Sequence, residues 1–295
     1  MLGDNLPSRP EAVQLIQSVG FNKVRLHRSQ SGYASFASSW ISSNIQPYLP
    51  DVSFKYITIG NEVIPGDAVP VRATRYEEHG QRPGLGRSPR PDQGGSVGLR
   101  DQIKVSTSVS MGVIGVSWLI FLSNTYPPSQ GSFSHQAAPI MGPIVQFLAS
   151  TGAPLMVNVY PYFSYVGNRQ AIQLDYALFT ANRVVVTDPN NGLAYTNLFD
   201  AMVDSVYSAM ERAGAAGVPI QVSESGWPWA GGDPTVTTIG NAQTYNQNLG
   251  TPKRPGPMEI FVFALFNEDQ KSAGIEQNWG LFYPTKQPVY SISLN

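Results

Sequence analysis

Two glutamates stand where an enzyme would place acid–base or nucleophilic groups. Glu62 follows Asn61 at the end of the apolar run Tyr56–Val63, and Glu224 stands at the end of a second run that begins at Ile220 and leads into Ser225-Gly226-Trp227-Pro228. Two carboxyl groups facing each other across a cleft are the minimum equipment for glycoside hydrolysis: one protonates the departing oxygen while the other attacks the sugar or activates water. A carboxyl group at the inner end of an apolar strand loses hydration, which disfavours its charged form and raises its pKa, as a general acid requires. Taken singly, either glutamate reads more readily as a structural ion-pair partner or a solvated rim residue.

The surrounding pattern supplies elements to hold them. Short runs rich in β-branched residues at Lys23–His27, Phe54–Val63, Ile103–Val109, Pro154–Tyr162, Ile220–Ser225 and Glu259–Asn267 read as strands. Helical spacing of apolar residues marks Arg9–Ser18, Trp40–Tyr48, Pro139–Ser150 and Asn197–Ala213. Alternation of strands and helices predicts parallel βα units, and the polar residues gather at the C-terminal ends of the strands, where β/α barrels carry their chemistry. A chain of 295 residues, 42% hydrophobic and 11% aromatic, is long enough for one such domain over 1–295.

Composition narrows the partner. Net charge is −1 and only 13% of residues are charged, so no basic field gathers nucleic acid or an anionic membrane. Cysteine is absent and the 3 histidines are scattered, so no thiolate chemistry and no metal site is expected. No apolar run is long enough to span a bilayer, and neither a signal peptide nor an Asn-x-Ser/Thr site is visible. The expected partner is neutral, no cofactor is needed, and a monomer is the default.

Longer stretches of sequence resemble glycoside hydrolase family 17, the plant endo-β-1,3-glucanases. They are Leu2–Pro7, Tyr56–Val63, Val157–Phe163, Val222–Pro228, Thr251–Gly256 and Trp279–Phe282. The resemblance implies a TIM-type (β/α)8 barrel, retaining hydrolysis of β-1,3-glucosidic bonds in a β-glucan, Glu62 as acid/base and Glu224 as nucleophile. Retention calls for carboxyl groups about 5–5.5 Å apart. It further implies that Asn61 contacts a sugar hydroxyl, that Asn158 and Tyr160 line the cleft, and that the loop Phe266–Lys271 with Glu276 helps hold the catalytic carboxylates through Glu268 and Lys271. Trp227, Tyr162, Phe163 and Phe282 are candidate sugar platforms, because C–H faces of sugars pack on aromatic rings; for each, a core role competes. By the same resemblance the protein is exported to the cell wall or vacuole and serves in plant defence.

Several features depart from the family pattern. The first strand is expected to be missing, and about one βα unit is missing near the third strand, after Val24–His27. His27 stands where a cleft tyrosine is usual. Ser117–Asn124 reads as retained intron sequence or an apolar insertion, and the Arg-, Gly- and Pro-rich segment at about 71–100 as an irregular surface loop, a basic binding segment or a shifted reading frame. The expected barrel is therefore incomplete. A catalytically inactive glucan-binding relative or non-functional fragment, and a β-1,3/1,4-glucanase, are the competing readings of function.

Overall fold

The computed structural model describes residues 3–21, 23–25, 40–48, 52–65, 103–115, 127–249 and 258–292. The segment at about 71–100, the insertion Ser117–Asn124, His27 and the Thr251–Gly256 word lie outside them. Helix α1, Arg9–Ser18, begins with Pro10 in its first turn and is capped by Glu11, whose Oε2 accepts from the Ser8 N–H at 3.0 Å. Strands β1 (Tyr56–Asn61) and β2 (Lys104–Ser110) follow. Helix α2, Ala138–Thr151, turns its apolar stripe of Ile140, Met141, Ile144, Val145 and Leu148 inward and stops at Gly152, whose φ of 62° is the left-handed conformation that terminates helices.

Strand β3 (Leu155–Asn158) is buried throughout. It was expected to run to Tyr162, but Pro161 lacks an N–H for the ladder and instead opens helix α3, Pro161–Gly167. The short helix α4 (Leu174–Ala177) and a two-stranded antiparallel ribbon, β4 (Val186–Thr187) with β5 (Ala194–Tyr195), fill the crossover. Helix α5, Leu198–Arg212, is capped by Asn197, whose Oδ1 accepts from the Asp200 N–H at 2.8 Å. Strand β6 (Ile220–Ser225), helix α6 (Ile239–Asn248) and strand β7 (Ile260–Val262) complete the order. The strand expected over Glu259–Asn267 is thus confined to Ile260–Val262. Lys23–Arg25, expected as a strand with Leu26 and His27, has no ladder in its described part.

The main sheet runs β1-β2-β3-β6-β7 with every neighbouring pair parallel. Strand β6 is covered on both faces and buried at all six positions, its polar Gln221, Ser223, Glu224 and Ser225 included. Trp227, Tyr245, Phe199 and Phe266 are the bulkiest members of the core beside it. All five C-terminal strand ends point the same way, which gathers Asn61, Ser110, Asn158, Ser225 and Val262 along one rim.

Candidate active site

Strand register breaks at this rim. The ladder shifts between Thr58 and Asn61, between Val157 and Asn158, and between Val222 and Ser225. An irregularity of this kind bends a strand and re-aims the side chains that follow it. At the end of β1 the bend is pronounced: Gly60 has φ 81° and Glu62 has φ 54°. Glycine reaches that region freely, whereas for Glu62 it is a strained conformation, held here by the Glu62 N–H donating to Ser108 O at 2.9 Å.

Asn158 is the centre of the site. Its side chain is buried between strands and makes four hydrogen bonds: Nδ2 donates to Glu62 Oε1 at 2.8 Å and Asn61 Oδ1 at 3.2 Å, while Oδ1 accepts from Ser223 Oγ at 2.6 Å and Ser108 Oγ at 3.1 Å. Two donors and one doubly accepting oxygen use the whole capacity of an amide, so its orientation is fixed. Glu62 opens to solvent on one side. Partial burial is nevertheless the largest influence on its carboxyl and raises its pKa; the Asn158 hydrogen bond lowers it, the charge of Glu224 raises it and that of Arg25 lowers it.

Glu224 is buried at the end of β6 and anchored through both oxygens. Oε1 accepts from Arg25 Nη1 at 2.7 Å and Oε2 from Tyr160 Oη at 2.9 Å. The Tyr160 phenol is held well above its ordinary pKa, first by burial and then by the Glu224 charge, so it remains a proton donor to that carboxylate. Its ring is wedged edge-on against Trp279 and Phe163, with centroids 5.3 and 5.6 Å away. Beyond Phe263, Lys271 Nζ meets Glu268 Oε2 at 3.1 Å and sits 4.3 Å above the Phe263 ring. The carboxylate that Lys271 meets is Glu268. Glu276 lies half-buried on the short turn Ile275–Gln277.

The structure therefore brings Asn61, Glu62, Asn158, Tyr160 and Glu224 into one connected network and places Glu268 with Lys271 one aromatic ring away. The expected platforms Trp227, Tyr162 and Phe282 are corrected, and Phe266, at the head of the last-strand loop, is enclosed as well. Trp227 is 0% exposed, with Nε1 donating to Val236 O at 3.0 Å, and Phe266 is 1% exposed. A ring enclosed on both faces cannot stack on a sugar, and Tyr162 and Phe282 are also buried. Phe163, 43% exposed, keeps a face available.

Sequence reasoning overlooked Arg25, Ser108 and Ser223. An arginine in a run expected as a strand, and hydroxyls at alternate positions of strands expected to be covered on both faces, are signals that could have found them, since buried polar groups require partners. The network offers donors aimed at one carboxylate, a second carboxylate of raised pKa and an exposed amide, a combination suited to proton transfer and nucleophilic attack at one centre.

The model of the family Glycosyl hydrolases family 17 matches residues 30–294. The basic vacuolar isoform GLB of glucan endo-1,3-β-glucosidase from Nicotiana tabacum is 42% identical over 325 residues, covering 99% of this chain and 83% of its own. That alignment is longer than the 295 residues here, so at least 30 of its positions, 325 less 295, have no counterpart in this chain. Lichenase-2 of Hordeum vulgare is 47% identical over 265 residues, 87% of this chain and 76% of its own. The solved structure of CJP38, a β-1,3-glucanase and pollen allergen of Cryptomeria japonica, superposes with a TM-score of 0.79 at 39% identity, covering 100% of this chain and 98% of that one.

Proposed function

This chain belongs to glycosyl hydrolases family 17, an α/β fold of the TIM-barrel type, and we propose that it hydrolyses internal β-1,3-glucosidic bonds of β-glucan with retention of configuration. One observation carries the reading: two carboxyl groups from different strand ends sit in a single hydrogen-bonded network that gives them different partners. Glu224 is met by a guanidinium and a phenol, both donors to an anion, whereas Glu62 is pushed toward its protonated form. Glu224 attacks the anomeric carbon as Glu62 Oε donates its proton to the departing glycosidic oxygen. Glu62, now a carboxylate, then takes a proton from the water that displaces Glu224 from the glycosyl-enzyme. Asn61, exposed at the same rim, is placed to meet a sugar hydroxyl, and Asn158 and Tyr160 hold the carboxyl groups.

Residues 1–295 form one catalytic domain in this reading, acting as a monomer and destined for the cell wall or vacuole. The vacuolar isoform of tobacco supports the compartment, and among the described residues no helix is long and apolar enough to cross a membrane. In this reading the barrel lacks its first strand and about one βα unit after Val24–His27; the excess length of the tobacco alignment is compatible with gaps of that size, wherever they fall.

The test is release of reducing ends from soluble β-1,3-glucan by the purified chain, with Glu224→Gln as control. Activity lost in the control upholds the assignment; a folded chain without activity overturns hydrolysis in favour of glucan binding. A second reading, cleavage of mixed β-1,3/1,4-glucan, draws on the identity to barley Lichenase-2. Preference for mixed-linkage substrate in the same assay would establish it.

A further inference from the structure

Arg25 joins three parts of the site with one side chain. Its Nη1 donates to Glu224 Oε1 at 2.7 Å and to Ser223 O at 2.9 Å, and its Nη2 donates to Asn61 Oδ1 at 3.0 Å. The side chain is only 11% exposed, and burial is the main influence on its pKa, lowering it against the pull of Glu224. A guanidinium stays charged through such a shift, whereas an ammonium loses its proton far more readily when buried. Its Nε–H is buried with no partner among the described residues. A fold that needed only bulk here would fill the space with an apolar side chain, since burying an ion pair rarely adds net stability.

The geometry points to Arg25 as a positioning residue of the reaction, resting on the function proposed above. We propose that it aims the Glu224 carboxylate and locks the amide of Asn61. Through Asn61 and Asn158 it ties the nucleophile to the acid. The links are continuous: Glu224 to Arg25, Arg25 to Asn61 Oδ1, Asn158 Nδ2 to the same oxygen, and Asn158 Nδ2 to Glu62 Oε1. With Asn61 Oδ1 occupied by two donors, its Nδ2 is the end left to face substrate, so the arginine decides which hydrogen-bonding group Asn61 offers. The planar fork matters as much as the charge, because a lysine can reach one of these acceptors but not span them.

The experiment compares wild type, Arg25→Ala and Arg25→Lys on soluble β-1,3-glucan, with folding checked by near-ultraviolet circular dichroism. Arg25→Ala is expected to lower kcat by about 100-fold with little change in KM, as for loss of a preorganised donor at a charged centre. The acidic limb of its pH–rate profile should move to higher pH, because an opposite charge beside the nucleophile is gone. Added guanidinium should restore part of the rate saturably, and urea at the same concentration should not. Arg25→Lys should keep the acidic limb near its wild-type position yet recover only part of kcat. Unchanged kcat and pH profile in folded Arg25→Ala, or a loss that guanidinium does not relieve, overturns the proposal. Should Arg25→Ala fail to fold, the lysine variant decides, and a wild-type kcat there overturns it. If the wild type cleaves no glucan, the hydrolase reading fails by itself. The carboxylate infrared band of Glu224, identified by subtraction of Glu224→Gln, then tests Arg25 directly: its protonation midpoint rises in Arg25→Ala, where the neighbouring charge is gone, and an unmoved midpoint there overturns the proposal.

Discussion

Replacing Asn158 by alanine removes the hub that joins Glu62 to the rest of the site. Of its four hydrogen bonds, the one from Nδ2 to Glu62 Oε1 at 2.8 Å is made to the group whose proton the reaction uses, and it favours the ionised form. A hydrogen bond to a charged group contributes about 1.5–3 kcal/mol when buried. Glu62 opens to solvent, which screens the interaction and reduces the expected figure to about 1 kcal/mol. At about 1.4 kcal/mol per pH unit, the pKa of Glu62 should rise by roughly half to one unit in Asn158→Ala. The general acid must be protonated to work, so the alkaline limb of kcat/KM moves to higher pH by that amount. The rate at the optimum falls at the same time, because Asn61 and Glu62 both lose a fixed partner. The same variant leaves Ser108 and Ser223 with only each other, 2.5 Å apart, and the hydroxyl left without an acceptor costs about 1–3 kcal/mol of stability. A pH series of kcat/KM on β-1,3-glucan and a urea melt read both effects. An alkaline limb that stays in place, or moves to lower pH, refutes the reasoning.

Two further outcomes follow from packing and charge away from the carboxyl pair. Gly226→Ala would place a Cβ 2.2 Å from Phe263 O, at the junction of β6 and the rim, so the variant should lose about 1–3 kcal/mol in a urea melt. Glu11 caps α1 and pairs with Lys286, and these contacts hold its carboxyl down to about 2. A depressed pKa contributes stability that is present above the unfolded value and lost as pH falls toward 2. Melts of wild type and Glu11→Gln should accordingly differ at pH 6 and converge below about pH 2.

The parallel sheet was legible because its strands lie in short runs with β-branched residues, three of them with Asn61-Glu62, Asn158 or Glu224 at the C-terminal end, and the helices because their apolar spacing is regular. Arg9–Ser18 and Ile220–Ser225 have the same bounds in sequence and structure. The carboxyl pair was legible from its position in the runs Tyr56–Val63 and Ile220–Pro228. What sequence could not show was direction. Trp227 and Phe266 lie beside the site in the chain, yet turn inward, because the residue that reaches the cleft depends on register breaks invisible in a pattern of apolar letters. Arg25 was missed for a similar reason. Its contacts, Asn61 and Glu224, are 36 and 199 residues away, and only the rim brings them together.

The central claim is that Glu224 forms a bond to the sugar and Glu62 supplies the proton. Proton NMR of the first products released from β-1,3-glucan tests it most directly. Wild type should release the β anomer first, with the α anomer growing in only by mutarotation, and Glu224→Gln should be slower by about a thousandfold or more. Initial release of the α anomer, or comparable turnover by Glu224→Gln, would contradict it.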